Sequence, residues 1–208
     1  METKLAKNTA TVAIELPRLN VQMLQITLVG DAPLICHAWS EKAKEMMLNK
    51  QMGKANAGKE KKVPERDFME SLYWLTDKPT ENSFEVPAGS RFGFPAVGFK
   101  AAAVSACRFV DGIKMTEVRG AFHIIGDMIE IKGTPTPRED MVRVGMGTAD
   151  IRYRGEFREW TADMTVRYNA NALSAEQIVN LFNVAGFGVG VGEWRPERDG
   201  SFGMFHVG

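Results

Sequence analysis

The sequence predicts an α+β fold with a ferredoxin-like core, an antiparallel sheet with two packed helices. Three observations support this class. Segments with alternating apolar and polar residues indicate strands near both ends of the chain. Two segments with helical character, residues 96–110 and 174–184, separate groups of strands. The 208 residues are 44% hydrophobic and 25% charged, which is typical of a globular protein with one sizeable core.

The first predicted strand follows a polar N-terminal segment. Residues 1–20 are mixed and polar, and we expect a flexible arm there. Residues 22–29 alternate apolar and polar side chains, which predicts a strand that ends at the turn residues 30–33. The element order then predicts a single domain over residues 21–208, with a long insertion after the first strand at about 33–84.

A lysine-rich segment lies inside this insertion. Ser40 is a candidate N-cap for a helix over residues 41–50, and residues 64–75 show a second helical pattern. Residues 50–62 between them lack large apolar side chains apart from one methionine, so they cannot bury themselves. The segment is either a solvated loop or an arm that orders on a phosphate backbone. Its lysines are Lys50, Lys54, Lys59, Lys61 and Lys62.

The middle of the chain predicts a buried helix and a hairpin. Residues 83–95 have an extended, turn-rich pattern, and the alanine-rich residues 96–110 predict the helix. Residues 118–125 and 128–131 flank a Gly-Asp pair, which predicts two strands joined by a tight turn. The prolines at 135 and 137 then predict an interruption of the sheet.

An arginine-bearing strand follows at residues 151–157. Its apolar side chains alternate with Arg152, Arg154 and Arg158, so one face is predicted to be core and the other cationic. The arginines either track successive phosphates of a nucleic acid or form cross-strand ion pairs with neighbouring glutamates. Residues 164–168 continue the sheet, and Ser174 with Gln177 matches a capping box that opens the next helix.

The last segment of the chain is rich in glycine. Four alternating glycines lead into Trp194 and Arg195, and a second glycine-bearing strand closes the chain. Glycine permits positive φ and close approach of another backbone, so the segment either holds a ligand against its main chain or forms a turn between buried strands. Trp194 either stacks on a base or plugs the core. The four glycines are Gly186, Gly188, Gly190 and Gly192.

Two segments together resemble the RAMP superfamily, the repeat-associated proteins of CRISPR effector complexes. Residues 94–104 read Phe-Pro-Ala-Val-Gly-Phe-Lys-Ala-Ala-Ala-Val and resemble the signature Ile-Pro-Gly-Ser-Ser-Leu-Lys-Gly-x-Leu-Arg before the first core helix. Residues 181–207 resemble the glycine-rich C-terminal element of that superfamily. The chain departs from the signature at the serine pair, at the glycine after the lysine and at the arginine, where Val104 stands and Arg108 follows one turn later.

This resemblance implies an RRM-like core and a subunit that assembles on guide RNA. The expected partners are single-stranded RNA or DNA, further copies of the chain and other ribonucleoprotein subunits. Lys100 lies near a helix start, where it either holds a phosphate or is an ordinary surface lysine. The candidate nucleic-acid-binding residues are Lys50, Lys54, Lys59, Lys61, Lys62, Lys100, Arg108, Arg152, Arg154, Arg158, Gly188, Gly190, Gly192, Trp194 and Arg195.

Composition excludes several other classes. The 26 basic and 26 acidic residues leave no net charge, which argues against a generally basic nucleic-acid binder. Cys36 and Cys107 are the two cysteines, and with three histidines they form no ligand set with zinc spacing, so neither a disulfide framework nor a metal or cofactor is expected. No apolar run approaches the length of a membrane span, and a cytoplasmic location is expected.

Two alternatives remain from other classes. The first is a metal-independent endoribonuclease that uses His37, or else His123, as general base. No serine triad, paired carboxylates or phosphate-binding loop accompanies these histidines, so a binding protein is the favoured interpretation. The second alternative is a viral or mobile-element structural protein that self-assembles through its glycine-rich end.

Overall fold

The computed structural model describes residues 18–54, 61–145 and 147–208, and within these ranges it has five α-helices and two antiparallel sheets. The predicted α+β class is confirmed. Most of the predicted arm lies outside the described residues, and Lys59 also lies outside them.

The elements are β1 Val21–Gly30, β2 Leu34–Cys36, α1 Glu41–Gln51, α2 Pro64–Ser71, β3 Tyr73–Trp74, β4 Phe92–Pro95, α3 Ala96–Ala106, α4 Met115–Ala121, β5 Phe122–Ile124, β6 Met128–Lys132, β7 Pro135–Val144, β8 Thr148–Phe157, β9 Thr161–Asn169, α5 Ala175–Gly188 and β10 Phe205–Val207.

The larger sheet is built around the pairing of β1 with β9. Its strand order is β10-β1-β9-β6-β4-β3, and β5 pairs with a further part of β9. The β1–β9 ladder runs from Val21 opposite Asn169 to Val29 opposite Thr161. Alternate residues of both strands are buried, which is the period of two read from the sequence.

Helices α3 and α5 pack against each other and against the sheet. Aromatic rings link these layers: Phe122 lies 5.9 Å from Phe182 of α5, and Phe99 of α3 lies 6.1 Å from Phe205 of β10, between ring centroids. The predicted capping box at the start of α5 is confirmed, because the Ser174 hydroxyl accepts a hydrogen bond from the Gln177 backbone N–H. The helix continues to Gly188, four residues beyond the predicted end.

The smaller sheet has the order β2-β8-β7 and contains a long hairpin. The predicted interruption at Pro135 and Pro137 is wrong, since both residues belong to β7. β7 is an edge strand, where a residue without an N–H group is tolerated. Strand β2, from the predicted insertion at 33–84, pairs with β8 and ties that segment to the hairpin.

Two further predictions about local structure are wrong. Strands β5 and β6 do not pair as a hairpin, because both pair with β9 in the same direction. Gly126, with φ of +93°, forms the irregularity between them. The helix predicted at 64–75 ends at Ser71, whose hydroxyl accepts a hydrogen bond from the Gly155 N–H of β8 across 2.7 Å. Among the described residues, no helix is long and apolar enough to cross a lipid bilayer.

Candidate functional site

A cleft of about 260 Å³ lies between α3 and the segment that follows α5. We call it the α3 cleft. One of its walls is formed by Gly98, Ala101, Ala102 and Ser105. These positions follow helical spacing, so they share one face of α3, and their small size leaves room beside the helix. The other lining residues are His37, Tyr73, Phe94, Val189, Gly190, Val191, Gly192, Glu193, Arg195 and Glu197. The two segments that carry the RAMP resemblance therefore meet at this cleft.

The opposite wall is formed by the first part of the glycine loop, which we define as residues 189–203. Gly190, Gly192 and Gly203 have φ of +69°, +78° and +63°, in the left-handed region that favours glycine. A Cβ atom on Gly192 would lie 2.5 Å from the Ile35 carbonyl oxygen, and one on Gly203 would lie 1.8 Å from the Val191 carbonyl oxygen. The loop needs these glycines to pack on itself and on β2. Of the two interpretations of the glycine run, internal packing explains these positions.

Gly188 and Trp194 have different surroundings. Gly188 lies in the last turn of α5, where a Cβ atom would approach the Phe109 ring to 3.0 Å. Trp194 has a φ of 54° and remains 40% exposed, and its carbonyl oxygen accepts a hydrogen bond from the Phe202 N–H. The indole is therefore not a buried plug. A role in stacking on a base stays a prediction.

Ion pairs line the rim of the α3 cleft. His37 Nδ1 lies 3.1 Å from the carboxylate of Glu193, and this hydrogen bond lowers the pKa of Glu193 against the opposing effect of its burial. Burial also disfavours ionisation of Glu197, but hydrogen bonds from Arg195 and Arg108 give it a lowered pKa. The two arginines predicted to bind phosphate thus share one carboxylate.

The three arginines of the β8 segment do not form a uniform cationic face. Arg154 is 6% exposed and contacts Asp140 at 3.3 Å and Glu193 at 4.0 Å, which connects the hairpin to the cleft rim. Arg152 pairs with Asp150, and Arg158 pairs with Glu156. Ion pairs are present at all three positions, but only the pair of Arg154 with Asp140 crosses between strands, and its partner is an aspartate instead of the predicted glutamate. Phosphate binding by these residues stays a prediction.

The predicted lysines fall into two groups. Lys50, Lys54 and Lys61 are exposed at the surface near the end of α1 and the start of α2. Lys62 contacts Asp150 at 3.2 Å and Asp67 at 3.7 Å, and it also donates to the Ile151 carbonyl oxygen. Its charge is therefore compensated within the fold.

Lys100 lines a second pocket and not the α3 cleft. Its Nζ lies 3.1 Å from His123 Nδ1. The pKa of Lys100 is lowered mainly by burial and then by the charge of Arg119. The pKa of His123 is also lowered, mainly by burial and then by the charges of Lys100 and Arg167. Arg119 and Arg167 were not predicted as functional residues. Arg167 lies at an exposed position of β9, but only the pairing of β5 with β9 shows that it stands opposite His123.

Comparisons with known proteins give similarities to solved structures but none to a sequence family. No protein-family model matches the sequence, and no curated protein matches it. The crystal structure of Cmr6 from Pyrococcus furiosus is similar over 92% of this chain and 100% of the Cmr6 chain, with 10% sequence identity and a TM-score of 0.43.

Within the described ranges, no group of three or more histidine, cysteine, aspartate or glutamate side chains is arranged to hold a metal ion.

Proposed function

We propose that this chain is a RAMP-like protein that binds single-stranded nucleic acid, with RNA as the favoured ligand, as a repeating subunit of a ribonucleoprotein assembly. The observation that carries the proposal is the meeting of residues 94–105 and the glycine loop at one cleft. The two segments are far apart in the sequence, and each separately resembles a RAMP element. A chance resemblance gives no reason for them to line the same cavity.

The order of elements supports an RRM-like core over residues 21–208. A β-α-β-β-α-β core has the strand order fourth, first, third, second, with both helices on one face. Strands β10, β1, β9 and β6 have this order, α3 precedes β6, and α5 joins β9 to β10. In this proposal, residues 33–84 and the β7–β8 hairpin are insertions into the core.

The side chains on the open face of the sheet favour the α3 cleft as the binding surface. Many RRM domains stack bases on aromatic residues of that face. Here the exposed positions of β1 and β9 include Met23, Thr27, Asp163 and Arg167, with no aromatic residue among the exposed positions of the two strands. In the proposal, Trp194 and the backbone of the glycine loop supply the contact surface instead.

The charges at the rim are compatible with a polyanion. Arg108 and Arg195 share the single carboxylate of Glu197, so these three side chains together carry one positive charge. The other carboxylate of the rim, Glu193, contacts His37 and Arg154. Neutralising phosphates releases counterions, which makes binding weaker as salt rises. Because the whole chain has no net charge, we expect binding to depend on such local groups.

Binding of labelled single-stranded RNA and DNA to nucleic-acid-free protein, measured over a salt series, tests the proposal. We expect binding that weakens steeply with salt and is reduced in Arg108→Ala, but not in the exposed-lysine control Lys114→Ala. No binding at low salt, for protein of verified fold, would overturn the proposal. If concentration-dependent oligomers then form without nucleic acid, the self-assembling structural protein becomes the better interpretation.

One observation favours a second candidate, a metal-independent endoribonuclease. His37 and Glu193 form a hydrogen-bonded pair on the wall of the α3 cleft. If Nδ1–H donates to the carboxylate, Nε2 is left as an acceptor, which is the arrangement of a general base. RNA cleavage in the presence of a chelator that is lost in His37→Ala would support this activity. Binding without cleavage would contradict it, and cleavage lost only in His123→Ala would assign the base to the other histidine.

A further inference from the structure

Four basic side chains gather beside the start of α3. We call Lys100, Arg119, His123 and Arg167 the cationic cluster. The Lys100 ammonium can only donate hydrogen bonds, so its 3.1 Å contact with His123 Nδ1 requires a neutral imidazole with the proton on Nε2. The ammonium also lies 5.7 Å from the centre of the Phe122 ring. Lys100 is thus held in place by two neighbours that carry no negative charge.

Four separate elements bring these residues together. Lys100 belongs to α3, Arg119 to α4, His123 to β5 and Arg167 to β9. His123 and Arg167 are direct partners in the β5–β9 ladder, and both are exposed, so their side chains stand side by side on one face. Basic residues placed directly opposite each other in a sheet destabilise it when both are charged.

The cluster lacks the carboxylates that accompany other basic residues of this sheet. Arg91 pairs with Glu130, and Lys132 pairs with Asp163. Among the described residues, no carboxylate forms an ion pair with Lys100, Arg119 or Arg167. Three cationic side chains therefore lie near one another without a counter-ion from the described part of the chain.

A pocket of about 370 Å³ opens onto this cluster. Lys100 and His123 line it, together with Ala96, Val97, Ile124, Gly126 and Asp127. Asp127 is the one acid of this lining, and its backbone carbonyl accepts a hydrogen bond from the Ala96 N–H. The pocket is separate from the α3 cleft, because the two share no lining residue.

We propose that the cationic cluster binds a phosphate group of the nucleic-acid strand. Lys100 and His123 contact the phosphate in the pocket, and Arg119 and Arg167 supply further positive charge. Ammonium and guanidinium groups are the usual partners of phosphate oxygens, and a bound phosphate compensates the charges that the fold leaves unpaired. The identity of the strand rests on the proposed function above; the affinity for phosphate does not.

The cluster also makes binding depend on pH. His123 faces Lys100 from α3 and Arg167 from β9, and Asp127 lines the same pocket from the turn before β6. Arg119 from α4 acts on Lys100. The cations disfavour its imidazolium form, and a bound phosphate favours it. Phosphate therefore raises the pKa of His123, and by linkage the site binds phosphate more tightly as pH falls through that pKa.

Nuclear magnetic resonance of the histidine side chains tests the site without nucleic acid. The chain has three histidines, and the spectrum of His123→Gln identifies the signal of His123. We expect inorganic phosphate to raise the titration midpoint of His123 and to leave that of His206, which pairs with Asp31, unchanged. The effect should be lost in Lys100→Ala. An identical titration of His123 with and without phosphate would overturn the proposal.

RNA affinity then tests the nature of the ligand. Each of Lys100→Ala and Arg167→Ala is expected to weaken RNA binding roughly tenfold, the equivalent of about 1.4 kcal/mol. Asp127→Asn, which removes the one acid of the lining, is expected to strengthen binding, and the matched control Lys114→Ala should leave it unchanged. Thermal unfolding verifies the fold of each variant.

The outcomes separate this inference from the proposed function. If phosphate raises the titration midpoint of His123 but the wild-type protein binds no RNA or DNA, the proposed function is overturned. The cationic cluster is then a phosphate-binding site whose ligand is not nucleic acid. If the wild-type protein binds RNA and the cluster variants bind equally well, the assignment of this site to the strand is overturned. Weaker binding in Asp127→Asn would also overturn it, because it would indicate a cationic ligand.

Discussion

The backbone N–H of Val191 donates a hydrogen bond to the carbonyl oxygen of Gly203 across 3.0 Å. This bond closes the glycine loop, because it joins the first residues after α5 to the residues before β10. Gly203 lies so close to the backbone of Val191 that no side-chain atom fits at position 203. The shape of the α3 cleft therefore depends on the contact between these two residues.

Gly203→Ala is expected to destabilise the protein strongly. The new Cβ would lie 1.8 Å from the Val191 carbonyl oxygen, at a residue whose φ is +63°. We expect the free energy of unfolding to fall by about 3 kcal/mol or more. The matched control is Gly112→Ala, where φ is +81° and no atom lies within 4 Å. We expect Gly112→Ala to lower the free energy of unfolding by about 1 kcal/mol, because only its backbone conformation is unfavourable for alanine. Equal losses in urea unfolding would contradict the packing role assigned to Gly203.

Arg154 and Arg152 are expected to differ in their effect on stability. Arg154 is buried beside Asp140, whose side chain is only 11% exposed, so Arg154→Ala leaves this carboxylate with one cation fewer and is expected to lower the free energy of unfolding by about 3 kcal/mol. Arg152 pairs with Asp150 at a more exposed place, and Arg152→Ala is expected to cost less than about 1 kcal/mol. Chemical denaturation measures both. If the two losses are similar, the ion pair of Arg154 does not have the structural role described here.

Burial raises the pKa of the Cys36 thiol to about 12, from a usual value of 9.0. The unfolded chain therefore loses this proton first as pH rises. The contribution of Cys36 to the free energy of unfolding is fully present below the usual thiol pKa of 9.0. It decreases by about 1.4 kcal/mol per pH unit between that value and the raised pKa of the folded state. Unfolding free energies of wild type and Cys36→Val, compared at neutral and alkaline pH, isolate this effect. A difference between them that does not change with pH would contradict it.

The pKa of Glu193 is lowered by its hydrogen bond with His37, and this predicts a loss of stability in acid. The stabilisation is present above the usual carboxyl pKa of 4.5 and disappears as pH falls through the lower value of the folded state. Glu193→Gln should remove this part of the acid dependence while it keeps the side-chain shape. Unfolding curves measured from neutral to acidic pH check the prediction, and parallel losses in both proteins would refute it.

Local patterns in the sequence predicted much of the fold. Alternation identified β1 and β9, and the Ser174 capping box located the start of α5, because these features depend on neighbours in the chain. The same patterns failed where distant contacts decide the structure. Pro135 and Pro137 are strand residues because β7 lies at the edge of its sheet. Gly126 lies between β5 and β6, which follow one another along the same partner strand, β9.

The candidate site was predicted only in outline. The two cleft segments were recognised from their residues, but the sequence did not reveal that Glu197 neutralises part of the charge of Arg108 and Arg195. Arg154 looked like a surface cation by alternation, yet it is buried because β8 is covered near its end by α2 and the cleft rim. Arg119 and Arg167 were missed, since their proximity to Lys100 depends on the arrangement of four elements.

Filling the α3 cleft tests whether nucleic acid binds there. Ala101 is exposed and lines the cleft, so Ala101→Trp occupies the space without disturbing the core. Thr116→Trp places the same side chain on the exposed surface of α4 and serves as the control. The decisive measurement is the affinity of both variants and the wild type for a labelled single-stranded RNA at low salt. We expect Ala101→Trp to bind at least about tenfold more weakly than Thr116→Trp, a difference of about 1.4 kcal/mol. Equal affinity of all three proteins would contradict it.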